Sequence, residues 1–162
     1  MIGRALRTVA ILGLLLPLNG GCGAGGFDGM PDLSAVVEVT YGDTGSKSGL
    51  TFLDDGPVRI VLAEWLEDFP NTGYRQHVLR HELFHALTGI KEHPTDPSCV
   101  SCDNRSPNSG ALFMPCAWER EEMRASPRAP MRVRFAGHFT EIWDAATWWN
   151  QGILSVVFEV VE

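Results

Sequence analysis

The stretch HELFHALTGIKEH, residues 81–93, places three histidines and Glu82 within thirteen residues. The apolar positions Val78, Leu79, Leu83, Ala86 and Leu87 recur at helical spacing, and Asn71 or Thr72 is a suitable cap, so a helix is predicted over 73–88. Residues four apart on a helix lie one turn above each other. His81 and His85 therefore point at a common place, where both rings can ligate one metal ion. Continued straight, the helix would carry His93 about 12 Å along the axis from His85. Gly89 is placed to end the helix in a left-handed turn and send the chain back, which makes His93 the third ligand, with Asp96 as the alternative. His77 lies one turn before His81. A fourth imidazole would close the open position that a catalytic zinc keeps, so His77 is read as lying behind the ligands or at the surface, and His138 as a surface residue.

Glu82 follows His81 by about 100° of helix rotation, beside the metal and not on it. There it can take a proton from the water that a metal ion acidifies, while the ion polarises a carbonyl. These residue types at this spacing point to metal-assisted amide hydrolysis with one catalytic zinc, Glu82 serving as general base and acid.

The rest of the chain sets the context. At 162 residues, with 44% hydrophobic and 20% charged residues, there is material for one globular domain. It is preceded by an export signal: Arg4 and Arg7 lead an apolar run from Val9 to Leu18, and Gly20-Gly21-Cys22 looks like the cleavage end of a bacterial lipoprotein signal, with Cys22 as the lipidated residue. The expected organisation is a signal peptide over 1–21, a Gly-rich tether over 22–31 and the folded domain over 32–162. The protein is thus expected to be exported and monomeric, held on the periplasmic or cell-surface face of a membrane by its lipid alone, and otherwise secreted. Loss of Arg4 and Arg7 takes the formal charge from −7 to −9, which disfavours nucleic acid as a partner. Peptide or protein substrates remain. With Cys22 lipidated, three cysteines are left in an oxidising compartment, and a disulfide is expected from Cys116 to Cys102 or Cys99.

Strands are predicted over 35–41, 58–63, 131–136 and 154–161, and helices around 117–124 and 139–151, with a long irregular loop over 94–112. The order His81, Glu82, His85, Gly89, His93, then Phe113-Met114-Pro115, resembles the metzincin metalloproteases, and within them the matrixin-like members. The gaps of four from His85 to Gly89 and eight from His85 to His93 are longer than the family's usual three and six. The resemblance implies an α+β, zincin-like fold, a mixed twisted sheet packed on an active-site helix and a second helix. It implies Met114 in a turn beneath the metal, and a strand ahead of the active-site helix, Val58 to Ala63, that binds substrate as an added strand.

Domains of that family usually open with strand, helix, strand, and here those elements resemble MRVRFAG, FTEIWDAATWWNQ and LSVVFEVV at the C-terminal end. AVVEVTYGDTG and GLTFLDDGPVRIVLA resemble the third and fourth strands. A circularly permuted domain is the expectation: Val133 and Val157 in strands of one sheet with Val37 and Ile60, and Trp143 with Trp148 or Trp149 buried against helix 73–88. The rival reading is a non-catalytic zinc-binding lipoprotein that uses the same fold as a binding module; Glu82 weighs against it, because zinc binding does not need that residue.

Overall fold

The computed structural model describes residues 35–54, 56–102 and 114–162, so the segments read as signal and tether, Cys22 among them, lie outside the described residues. The elements run β1 (Val36–Gly42), β2 (Gly49–Phe52), β3 (Arg59–Ala63), α1 (Thr72–Thr88), α2 (Ala117–Ala125), β4 (Met131–Phe135), α3 (Phe139–Ile153) and β5 (Phe158–Val160). The fold is α+β: one five-stranded mixed sheet in the order β2-β3-β1-β4-β5, with β2 antiparallel at one edge and the other pairings parallel. Among the described residues no helix is long and apolar enough to cross a membrane.

Alternation along the strands gives the sheet two unlike faces. Val37, Val39, Ile60, Leu62, Val133, Phe135 and Phe158 are buried and join the side chains of α1 and α3 in one core. On the other face Glu38 stands opposite Arg134 across the β1–β4 pairing, and the two form a forked ion pair. This alternation fixes register, because a slip of one residue would turn the valines outward.

The C-terminal strand-helix-strand joins the same sheet, with Val37 beside Val133 and Val39 beside Ile60. Three details differ from expectation. GLTFLDDGPVRIVLA holds two strands joined as a hairpin, and β3 lies between β2 and β1, so it is not available to add a substrate strand; the edge is β2. The last strand starts at Phe158 because α3 continues to Ile153, and Asn150 takes the next segment: its side-chain oxygen accepts from the N–H groups of Val157 (2.9 Å) and Phe158 (3.0 Å). Val157 thus precedes β5, yet its carbonyl accepts from the N–H of Met131 at 2.9 Å. Finally, Trp149 is fully buried against α1 and donates to the Arg80 carbonyl (3.1 Å), and Trp148 lies 4.6 Å beneath the Arg80 guanidinium, whereas Trp143 points to solvent.

α1 is buried on most of its circumference, between the sheet, α2 and α3. Asn71 caps it by accepting from the Tyr74 N–H at 3.1 Å, and Gly89 ends it in the left-handed region, φ 73°. Its last carbonyls are also met from outside: Arg128 donates to Ala86 (3.0 Å) and Ser126 to Leu87 (2.6 Å). Both ends are therefore fixed, which holds the histidines of its last two turns in place.

Candidate metal centre

His81 and His85 project from successive turns of α1, and the reversal at Gly89 returns the chain so that His93 meets them. The three Nε2 atoms form a near-equilateral triangle, 3.0 Å between His81 and His85 and 3.1 Å from each to His93. Ligands 2.0–2.1 Å from a tetrahedral ion are separated by about 3.4 Å, so this trio fits one metal ion with a shift of a few tenths of an ångström. His81 is partly buried, His85 buried and His93 exposed, so the group opens to solvent on one side.

The other ring nitrogens show what this geometry demands. Nδ1 of His81 lies 3.0 Å from the Val100 carbonyl, and Nδ1 of His85 lies 2.5 Å from the Ile90 carbonyl. A carbonyl can only accept, so each Nδ1 carries the proton and each Nε2 of the neutral rings presents a lone pair. Two lone pairs facing at 3.0 Å repel unless a cation lies between them. Burial first, and then the neighbouring His85 ring, lower the His81 pKa to about 3, against the pull of the Val100 carbonyl, and this keeps His81 in the neutral form that ligates metals.

The Val100 carbonyl is itself held. Cys99 and Cys116 are joined by a disulfide, Cys102 is a buried free thiol, and Glu119, fully buried at the start of α2, accepts from the Ser101 N–H (2.7 Å), the Ser101 hydroxyl (2.8 Å) and the Cys116 N–H (3.0 Å). Burial pushes the Glu119 carboxyl up, and these donors pull it back only in part. A buried carboxylate needs such donors, and here they come from the segment that supports His81.

Glu82 lies in the same cleft, a space of about 570 Å³ bordered by β2, α1 and the histidine trio. Its carboxylate is buried, and Oε2 accepts from the Thr51 hydroxyl at 2.7 Å. The sequence readings of Glu82, His81, His85 and His93 thus fall in one place. Others do not. Asp96 is exposed and caps its own turn, Oδ1 accepting from the Ser98 N–H (2.8 Å). Met114, expected in a turn beneath the metal, has a side chain that is 60% exposed, with its sulfur 3.9 Å from Arg120 Nη1. The disulfide at Cys116 and the seat of Pro115 against Gly152 hold that segment beside α2 and α3. His77 is buried on α1, between the Tyr74 and His81 rings. His138, expected at the surface, is half-buried, its ring against Tyr41 and Phe135.

Gly49, Thr51, Val100 and Glu119 were missed in the sequence. A glycine in a strand rich in apolar residues signals close approach of a neighbour, and is the one local cue that was present. Backbone carbonyls carry no residue signature at all. Compared with models of protein families, with curated proteins and with solved structures, the chain finds no match, so its chemistry is read from these residues themselves.

Proposed function

We propose that the chain is a zinc-dependent endopeptidase of metzincin type, matrixin-like and circularly permuted, exported and held at a membrane by a lipid on Cys22. The observation that carries this reading is the paired imidazoles of His81 and His85, whose Nδ1 protons are committed to carbonyls while their lone pairs converge with His93, beside a buried Glu82. Three imidazoles with an open side are a donor set suited to catalytic zinc. When bound, zinc supplies a Lewis acid and an acidified water. Glu82 would then take a proton from the attacking water and return it to the leaving amide nitrogen.

An extended peptide adds to the free edge of β2, which borders the cleft, and its carbonyl reaches the trio from there. The sheet order favours the permutation: β4, α3 and β5 are the opening strand-helix-strand of a metzincin-type domain displaced to the chain's end, and β4 sits directly beside β1. The Cys99–Cys116 disulfide is in keeping with export to an oxidising compartment.

Casein hydrolysis with and without a chelator tests the reading, with Glu82→Ala as control. Chelation should abolish cleavage, and Glu82→Ala should lower kcat by about 10²–10⁴-fold with zinc retained. Zinc bound by the wild type without any cleavage would return the protein to a binding module.

A further inference from the structure

Gly49 and Thr51 are two apart on β2, so they share the face turned toward α1. Both meet the same side chain. The Thr51 hydroxyl donates to Glu82 Oε2 at 2.7 Å, with the Glu82 carbonyl as a longer alternative at 3.1 Å. A Cβ on Gly49 would stand 2.7 Å from Glu82 Oε1, 2.8 Å from Cγ and 2.9 Å from Cδ.

From this contact we infer that Gly49 and Thr51 form a seat that fixes the direction of the Glu82 carboxylate, making Thr51 a positioning residue for the general base. Gly49 has no left-handed backbone angle, so its glycine is required for space and not for conformation. The atoms that a Cβ would meet are the movable end of a side chain, so an alanine is accommodated by pushing the carboxylate away while the strand stays in place. Thr51 works from the opposite side. A β-branched residue in a strand has few rotamers, so its hydroxyl is a stiff donor, and Ile60 across the pairing holds its backbone. Glutamate, by contrast, has three side-chain torsions. A carboxylate with that freedom is useful as a base only if something outside α1 sets its direction.

The catalytic consequence rests on the reading of Glu82 given above, while the seat itself is a matter of geometry. The test uses the zinc-loaded full chain with Thr51→Val, Thr51→Ser and Gly49→Ala. Three quantities are read: kcat and KM on a fluorogenic casein-derived peptide, zinc affinity by chelator competition, and the Glu82 torsions in crystal structures. Thr51→Val and Gly49→Ala should each lower kcat about 10²-fold with KM and zinc affinity held within threefold, and Thr51→Ser should recover most of the rate. In both impaired variants the Glu82 carboxylate should leave its wild-type position. Unchanged torsions in both, a kcat within threefold of wild type, or loss of zinc along with activity overturns the inference. A wild type that cleaves nothing defeats the functional reading instead, and the torsions still decide the seat.

Discussion

Glu119 on α2 accepts two hydrogen bonds from Ser101, one from its N–H at 2.7 Å and one from its hydroxyl at 2.8 Å, and both residues are fully buried. The residue before Ser101 supplies the carbonyl that orients His81. An acid on another helix therefore steadies the carbonyl that orients His81, the kind of outer support whose loss costs metal affinity. Glu119→Ala should weaken zinc binding about 10–100-fold, read by competition with a chelator. It should also cost about 1–3 kcal/mol in denaturant unfolding, because the Ser101 and Cys116 donors are left without an acceptor. Undiminished affinity would show that the Val100 carbonyl keeps its place without Glu119.

His93 and Asp96 separate the two candidates for the third ligand. His93→Ala removes one corner of the nitrogen triangle and should lower zinc affinity by more than the loss of outer support does, beyond about 100-fold. Asp96→Ala releases only an exposed turn and should leave affinity within about threefold by the same criterion. Isothermal titration of both variants with zinc decides the order.

Two tryptophans of α3 should differ sharply. Trp149 is fully buried between α1 and α3 with its N–H on the Arg80 carbonyl, so Trp149→Ala should cost about 3–5 kcal/mol of stability. Trp143 is 53% exposed, and Trp143→Ala should stay within about 0.5 kcal/mol. Equilibrium unfolding in urea measures both, and similar costs would mean that α3 packs by a different face.

Leu154 is the one non-glycine residue with positive φ (60°) among the described residues, and it is 88% exposed. A side chain in that region costs about 1–2 kcal/mol and here gains almost no burial in return. Leu154→Gly should therefore stabilise the protein by about 1 kcal/mol, seen as a higher urea midpoint with an unchanged slope.

What the sequence determined by itself is local. Helical spacing brought His81 and His85 together, Asn71 and Gly89 marked the ends of α1 and lie at its caps, and alternating valines announced β1, all because these signals act within a few residues of chain. The reversal at Gly89 that returns His93 was legible for the same reason. Tertiary structure decided the rest. Which strand forms the edge depends on hydrogen bonds between segments, so Arg59–Ala63 became internal and Gly49–Phe52 took the edge beside Glu82. Whether Cys116 meets Cys99 or Cys102 depends on where α2 docks, and the same docking carries Met114 to the surface. The directions of the His81 ring and the Glu82 carboxylate are set by atoms distant in sequence, the Val100 carbonyl and the Thr51 hydroxyl, because a side chain's last torsions are fixed by what it packs against and not by its neighbours along the chain.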